Sequence, residues 1–137
     1  MNSGKHPENH CDAGRRGEDL ALEHLQAKSY RLLQRNYRHG RGEIDLIMQD
    51  PDGILVFIEV KSARTRDSGA PLGRIDRRKI LQLQRLAQRY CRRMDWMDRE
   101  MRFDAVGVDL PEKGGKAGIE HIEHAFLPDG AGYFPSG

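Results

Sequence analysis

The chain has 137 residues, of which 37% are hydrophobic and 32% are charged, and its net charge at neutral pH is +2. This length suits one domain with a modest core, and no apolar run approaches the length of a membrane span. The first eleven residues contain no apolar segment typical of a secretory signal. Two cysteines lie far apart in a charged chain, which favours a reduced pair over a disulfide. We therefore expect a cytoplasmic protein that does not insert into membranes.

The small net charge conceals a strongly basic segment in the middle of the chain. Residues 61–93 contain 11 basic and 2 acidic residues, whereas residues 1–60 carry a net charge of −2 and residues 94–137 carry −5. A phosphate backbone would attract such a segment. The alternative is the solvated face of a helix, and the charge run taken alone favours that alternative.

Hydrophobic periodicity predicts helices and strands that follow one another along the chain. In chain order we expect a disordered tail over residues 1–12, a helix over 13–29, and three strands over 30–37, 43–49 and 54–61. A long amphipathic helix over 74–97 and one or two further strands follow, the first over 102–110 and the candidate second over 120–126. A single domain would then span residues 13–127, followed by a flexible tail over residues 128–137. This order predicts an α/β fold with a mixed β-sheet flanked by helices.

The second and third predicted strands form a hairpin that carries charged residues. Its turn signal is Asp50-Pro51-Asp52-Gly53, in which proline presets φ and glycine accepts a positive φ. Residues two apart in a strand share a face, so Glu59 and Lys61 must project side by side. With the turn at Pro51-Asp52, Asp45 lies close to Glu59. Two acids and a lysine would then meet on an apolar sheet, and buried charge requires a partner or a metal.

These residue types suit a magnesium site that cleaves phosphodiester bonds. Mg²⁺ prefers oxygen ligands and keeps several waters, so Asp45, Glu59 and the carbonyl of Val60 would be sufficient protein ligands, with Mn²⁺ as a substitute ion. Lys61 would orient or deprotonate the attacking water, or hold a phosphate oxygen. The alternative is an ordinary Glu–Lys pair on a solvated strand face, which is the better interpretation of an isolated Glu-x-Lys.

A third acid lies on the first predicted helix. Glu18, Leu22 and Leu25 fall at i, i+4 and i+7, so the Glu18 carboxylate is in line with the apolar stripe. Gly14 and Gly17 would let the backbone approach its neighbours closely. Glu18 would then reach the same metal or its water. The alternative is that Glu18 only complements the helix macrodipole.

Basic residues surround this predicted site on both sides in the sequence. Those that follow Lys61 run through a loop into a helix, and one precedes the Asp45 strand. Under a nuclease interpretation they would clamp the phosphates of nucleic acid, with Lys79 the strongest single candidate: Arg41, Arg64, Arg66, Arg74, Arg78 and Lys79. For the turn that contains Arg41, a solvated surface explains the charge equally well.

Four ordered segments carry a family resemblance. Gly17-Glu18, Gly42-Glu43-Ile44-Asp45-Leu46-Ile47, Phe57-Ile58-Glu59-Val60-Lys61 and Arg102-Phe103-Asp104-Ala105-Val106 together resemble the YraN-like family of bacterial proteins. That family is similar to the restriction-endonuclease-like superfamily, whose signature is PD-(D/E)xK, and within it to archaeal Holliday-junction resolvases. The resemblance covers about residues 13–110. The proline of the signature is missing, because Ile44 precedes Asp45.

The resemblance implies a restriction-endonuclease-like fold with Asp45 and Glu59 as metal ligands, Lys61 as the catalytic lysine and Glu18 as the helix-borne acid. We therefore expect a Mg²⁺-dependent endonuclease acting on DNA, including branched or structured DNA. One alternative is a nucleic-acid-binding accessory protein of the same fold that does not cleave. Another is a protein-interaction domain whose acids are ordinary surface residues. Because a resolvase must cut two strands, a homodimer would fit.

Overall fold

The computed structural model of the chain describes residues 10–64, 76–111 and 115–126, with side chains from residue 14 onward. These residues form two α-helices and five β-strands in the order α1, β1, β2, β3, α2, β4, β5. Their bounds are α1 His10–Ala27, β1 Arg31–His39, β2 Gly42–Gln49, β3 Leu55–Arg64, α2 Arg77–Met94, β4 Met101–Leu110 and β5 Gly118–Ile122. Neither described helix is long and apolar enough to cross a membrane.

All five strands join one mixed sheet in the order β1-β2-β3-β4-β5. The pairs β1/β2, β2/β3 and β4/β5 are antiparallel, whereas β3 and β4 are parallel. A parallel pair needs a crossover connection, and α2 lies between β3 and β4 in the chain. The predicted α/β fold, a mixed sheet flanked by helices, is confirmed.

The two helices cover opposite faces of the sheet, and each face has its own apolar core. On one face, α1 contributes Ala21 and Leu25 to a core with even-numbered residues of the central strands, among them Leu46 and Ile58. On the other face, α2 packs Ile80, Leu83, Ala87 and Tyr90 against Ile47, Leu55, Phe57 and Phe103. Both faces of the central strands are therefore buried there, which explains the continuous apolar runs at residues 46–48 of β2 and 55–58 of β3.

Both predicted helices differ from the observed ones at their ends. The expected N-terminal tail reached residue 12, but α1 already begins at His10 and ends at Ala27, before Ser29 with its φ of 70°. Helix α2 was expected to continue to residue 97. It ends at Met94 because Asp95 adopts a left-handed conformation, with φ of 59°, and its amide donates to the Arg92 carbonyl. Asp95 thus closes the helix in place of the usual glycine.

The last strand is also shorter than expected. Strand β5 ends at Ile122, whereas the alternation of apolar residues had predicted a strand to residue 126. The chain turns at residues 123–124, where His124 has a φ of 52°. Beyond the turn, the Ala125 amide donates to the Phe103 carbonyl at 2.8 Å. Ala125 and Phe126 therefore return to the α2-side core without extending the strand.

Candidate metal centre and nucleic-acid interface

The site lies where β2 and β3 separate. Their paired register runs from Gln49↔Leu55 to Leu46↔Ile58 and stops there. One step further, the Asp45 side chain replaces the backbone as partner, and its Oδ2 accepts a hydrogen bond from the Val60 amide at 2.8 Å. Glu59, which would have been the next partner of Asp45 in this register, lies beside the Asp45 carboxylate. The turn register expected from the sequence therefore brings Asp45 and Glu59 together.

Strand β2 loses its regular alternation at the same place. Residues three apart in a regular strand face opposite sides of a sheet, yet Ile44 and Ile47 both pack into the α2-side core. Leu46 packs into the α1-side core. On the neighbouring strand, Asn36 has a φ of 54°, an uncommon conformation for a residue other than glycine. The local twist places Asp45 within reach of both Glu59 on β3 and Glu18 on α1.

Glu18 is held at the site by α1 and β1. Its Oε1 accepts a hydrogen bond from Asn36 Nδ2 at 2.9 Å and lies 3.6 Å from Arg35 Nε. The close approach predicted for Gly17 is present, because an added Cβ would meet the Ser62 side chain at 2.7 Å. Gly14, which was expected to serve the same purpose, has no neighbour within 4 Å of such an atom.

Three carboxylates form one compact group. Ligand atoms of Glu18, Glu43 and Asp45 all lie within 4.8 Å of one another. Glu43 was not among the predicted site residues, although it stands two positions before Asp45, a spacing that places two side chains on one face of a strand. Asn36 was also missed, and its only sequence signal is that asparagine tolerates a positive φ.

Glu59 is the most buried acid of the site, and one of its carboxylate oxygens lacks a hydrogen-bond partner in the part of the chain that the structure describes. Its side chain is 3% exposed, and within the described residues its Oε1 is one of two buried side-chain atoms without a hydrogen-bond partner. Its Oε2 lies 3.5 Å from Lys61 Nζ and 3.7 Å from Lys79 Nζ. Both lysines are partly exposed, so they approach the carboxylate from the solvent side. A buried polar atom left unpartnered is costly unless a ligand completes it.

Burial and mutual repulsion oppose ionisation of these acids. Burial, followed by the charge of Asp45, raises the pKa of Glu59, and the two lysines counteract only part of this rise. Burial also raises the pKa of Asp45 in spite of its hydrogen bond from Val60. For Glu18, burial and the charge of Asp45 raise the pKa to about 7. The acids therefore lack sufficient positive charge among them, and a divalent cation is the kind of ligand that supplies it.

The donor set fits Mg²⁺ or Mn²⁺. Carboxylate oxygens are hard ligands, and the site contains neither histidine nor cysteine among its described residues. Asp45 and Glu59 remain the predicted ligands. The Val60 carbonyl remains a predicted third ligand, whereas the Val60 amide is already engaged by Asp45.

The structure describes four of the six predicted nucleic-acid contacts. Lys79 lies at the site itself, and its backbone amide is capped by Asp76 at the start of α2. Arg78 is exposed beside it, Arg64 is the last residue of β3, and Arg41 lies in the turn between β1 and β2. The remaining two predicted residues, Arg66 and Arg74, lie outside the described residues.

Comparison with known proteins identifies the family. Residues 17–108 match the model of a family described as "Uncharacterised protein family UPF0102". The chain belongs to this family. The YraN-like resemblance is thereby confirmed, because the two names denote the same family. The UPF0102 match contains every described residue of the site, from Glu18 to Lys79.

Relatives in the UPF0102 family match over most of their length. A UPF0102 protein of Symbiobacterium thermophilum is 42% identical over 113 residues, which are 82% of this chain and 94% of the relative. One of Flavobacterium psychrophilum is 40% identical over 117 residues, 85% of this chain and 95% of the relative. One of Desulforamulus reducens is 37% identical over 113 residues, 82% of this chain and 93% of the relative.

A solved structure also matches, at lower similarity. It is described as "The structure of Pyrococcus Furiosus SfsA in complex with Ca2+", with 17% sequence identity and a TM-score of 0.36. The match covers 81% of this chain and 62% of that one, so this chain spans less than two thirds of its length. A TM-score of 0.36 is too low for this likeness to bear on function.

Proposed function

We propose that this protein is an endonuclease that uses Mg²⁺ or Mn²⁺ to hydrolyse phosphodiester bonds in DNA. The observation that carries the proposal is the Glu59 carboxylate, which is 3% exposed and has one oxygen without a partner. Beside it lie a second buried acid, Asp45, and the ammonium group of Lys61 at 3.5 Å. These acids need a cation to balance their charge, and a partly exposed lysine lies beside them. Such an arrangement suits attack on a phosphate, whereas it does little to stabilise the fold.

Asp45, Glu59 and the Val60 carbonyl would hold the metal ion. A bound Mg²⁺ would supply Lewis acidity toward a phosphoryl oxygen of the substrate. The hydrogen bond from the Val60 amide fixes the orientation of the Asp45 carboxylate before any ion arrives. The acids are therefore preorganised by the separation of β2 from β3.

Lys61 is our candidate catalytic residue. Its side chain is 36% exposed and its Nζ is anchored near Glu59, so it can donate hydrogen bonds to an attacking water or to a phosphate oxygen. Lys79 approaches Glu59 from α2 and would contact the next phosphate. Glu18, held by Asn36, assists by accepting a hydrogen bond from the water on the α1 side.

The substrate proposed is DNA, including branched or structured DNA. The predicted phosphate contacts remain the six basic residues Arg41, Arg64, Arg66, Arg74, Arg78 and Lys79. A homodimer would present two such centres to two strands. A non-catalytic accessory protein of the same fold is the alternative, and assays of cleavage and metal binding separate the two.

The test is cleavage of linear, single-stranded, flap and four-way-junction DNA by the purified full chain with Mg²⁺ or Mn²⁺. We expect cleavage of at least one substrate, and a loss of at least about 10²-fold in Asp45→Asn, Glu59→Gln and Lys61→Met, the range typical of removing an acid–base group. DNA binding should persist in all three variants. Glu120→Gln is the matched control, because Glu120 is an exposed acid on β5.

Calorimetric titration with Mn²⁺ provides the second measurement. We expect binding to the wild type and to Lys61→Met, and much weaker binding to Asp45→Asn and Glu59→Gln. Tight DNA binding without cleavage of any substrate, together with no metal binding, would show that the accessory-protein alternative is correct.

A further inference from the structure

A basic pocket lies outside the metal centre. Its volume is about 520 Å³, and it is lined by Tyr37, Arg38 and His39 at the end of β1 and by Arg89, Arg92 and Arg93 near the end of α2. Four of the six lining residues are arginines and a fifth is histidine. Within the described residues, no carboxylate lies within ion-pair distance of the three arginines from α2, and Arg38 alone pairs with an acid, Glu43.

The α2 arginines of this pocket continue a basic stripe along the helix. Arg78, Arg85, Arg89 and Arg92 stand at i, i+7, i+11 and i+14, so they share one face, and all four are exposed. Helix α2 contains seven basic residues and no acidic residue. A helix surface that is only solvated usually mixes both signs of charge, because pairs of opposite charge three or four residues apart stabilise it. This helix instead offers its cations no acidic neighbour of its own.

The α2 stripe contacts the metal centre near its first residue, and the pocket contacts the metal centre through Arg38. At one end, Arg78 adjoins Lys79, whose Nζ lies 3.7 Å from Glu59. At the other end, Arg38 lines the pocket and donates from its Nε to Glu43, which belongs to the carboxylate group of Glu18 and Asp45. Residues 78 and 89 are separated by about 16 Å along the helix axis. That distance corresponds to about five nucleotide steps of one B-form strand.

We propose that this pocket binds a backbone phosphate of the DNA other than the one that is cleaved, with the α2 stripe following the strand from Lys79 to the pocket. The proposal rests on the proposed function for the position of the cleaved bond, and it assigns the pocket a role that the metal centre does not need. Arginine suits this role because its guanidinium donates two parallel hydrogen bonds to phosphate oxygens. Tyr37, which lines the pocket, packs edge to face on Tyr90 of α2, with the ring centroids 5.3 Å apart.

Two competing roles for the pocket arginines lead to different experimental results. Arg92 and Arg93 stand in the last turn of α2, where cations stabilise the helix macrodipole. If they serve only the helix, their loss lowers thermal stability without changing DNA affinity. A free phosphorylated small molecule offers the same chemistry as a backbone phosphate. If the pocket serves only such a molecule, loss of the arginines weakens binding of the small molecule alone.

The test measures the salt dependence of duplex DNA binding in EDTA, where no metal-dependent cleavage can occur. Each lost phosphate contact reduces the slope of log K against log salt by about 0.9. We expect Arg89→Gln/Arg92→Gln to reduce the slope by about 2 and to weaken binding by about 10-fold or more at physiological salt. The control Arg31→Gln/Lys116→Gln removes the same charge from exposed positions outside the pocket. It should change the slope by less than half as much.

Binding of inorganic phosphate and of adenosine monophosphate is measured in parallel, together with thermal melting. An unchanged DNA slope in Arg89→Gln/Arg92→Gln overturns the inference, whether the variant melts earlier or loses affinity for the small phosphates. Cleavage lost in Asp45→Asn would still support the proposed function in that case. A reduced slope with no cleavage by the wild type would overturn the nuclease and keep the phosphate pocket as part of a binding protein.

Discussion

Two groups of charged residues are buried in this sheet, one beside the start of β3 and one in the middle of β3. One surrounds Arg102 on β4, next to the β2–β3 turn, and the other surrounds Glu59, where β2 and β3 separate. Both contain two deeply buried acids: Asp50 and Asp104 in the first group, Asp45 and Glu59 in the second. They differ in whether the chain supplies their counter-charges.

The Arg102 group is complete within the chain. Arg102 donates two hydrogen bonds to Asp104, at 2.9 and 3.1 Å, one to Asp50 at 2.8 Å and one to the Tyr30 hydroxyl at 2.7 Å. Asp104 also contacts His121 Nε2 at 2.7 Å, and Asp50 Oδ1 accepts two backbone amides of the turn. Within the described residues, no buried side-chain atom of this group is left unpartnered.

The Glu59 group lacks a full set of partners within the described residues, and we call it the open group. Two lysines approach Glu59 at 3.5 and 3.7 Å, and one of its oxygens has no partner within the described residues. The electrostatic consequence is opposite in the two groups, because the pKa of Asp104 is lowered whereas the pKa of Glu59 is raised. A buried acid therefore indicates function when its partners are missing, and indicates an architectural role when they are all present.

The largest change in stability should follow from removing the cation of the Arg102 group. Arg102→Met leaves two buried carboxylates without their cation, and removing one partner of a buried pair costs about 3–5 kcal/mol of the free energy of unfolding. Urea denaturation measures this loss. Arg31→Met, at an exposed position on β1, is the matched control and should change stability by less than about 0.5 kcal/mol. Equal losses in both variants would show that the Arg102 group is not a structural unit.

A smaller effect should follow from lowering the pH. Burial alone would raise the pKa of Asp104, but hydrogen bonds from His121 and Arg102 outweigh it and lower the pKa. For Asp50, burial is likewise outweighed by the Ile54 amide and Arg102, so its pKa is lowered too.

An acid with a lowered folded pKa stabilises the protein above its unfolded value, near 3.9, and this stabilisation is lost as the pH falls through the folded pKa. We therefore expect the free energy of unfolding to fall below about pH 4, more steeply in the wild type than in Asp104→Asn. Identical pH profiles for the two proteins would contradict this expectation. Urea denaturation at several pH values between neutral and acidic conditions provides the measurement.

The smallest change in stability should follow from altering the open group. Glu59→Gln removes a buried charge that lacks a full set of partners, so the free energy of unfolding should stay within about 1 kcal/mol of the wild type or rise. Millimolar Mg²⁺ should stabilise the wild type but not the variant, because a ligand stabilises only the state that binds it. Thermal melting with and without Mg²⁺ checks both points. Destabilisation as large as that of Arg102→Met would assign Glu59 an architectural role.

Much of the fold could be predicted from the local pattern. Alternation of apolar residues located β2 and β3, and the Pro51-Asp52 turn set the register that places Asp45 beside Glu59. The ends of elements were less predictable, because Ser29, Asp95 and His124 adopt positive φ values that these residue types only sometimes adopt. Glycine would have marked such positions in the sequence.

The candidate site could be predicted in part. Spacing and resemblance pointed to Glu18, Asp45, Glu59 and Lys61, and these four residues lie around one point. Glu43 was missed although its spacing from Asp45 places the two side chains on one face of a strand, and Asn36 was missed because its positive φ has only a weak sequence signal. The basic pocket was also missed, because Arg38 and Arg89 are distant in sequence and meet only through the packing of α2 on the sheet.

Strand periodicity and turn chemistry are local properties, so the acids that share a hairpin and the position of the basic segment could be predicted from the amino-acid order. Which of the buried acids receive their counter-charges within the chain follows instead from packing. Partners such as Asp50 and Arg102 are 52 residues apart and come together through strand order in the sheet. Packing therefore decides whether a buried acid meets all of its partners. This separates the architectural acids Asp50 and Asp104 from Asp45 and Glu59, which lack a full set of partners among the residues that the structure describes.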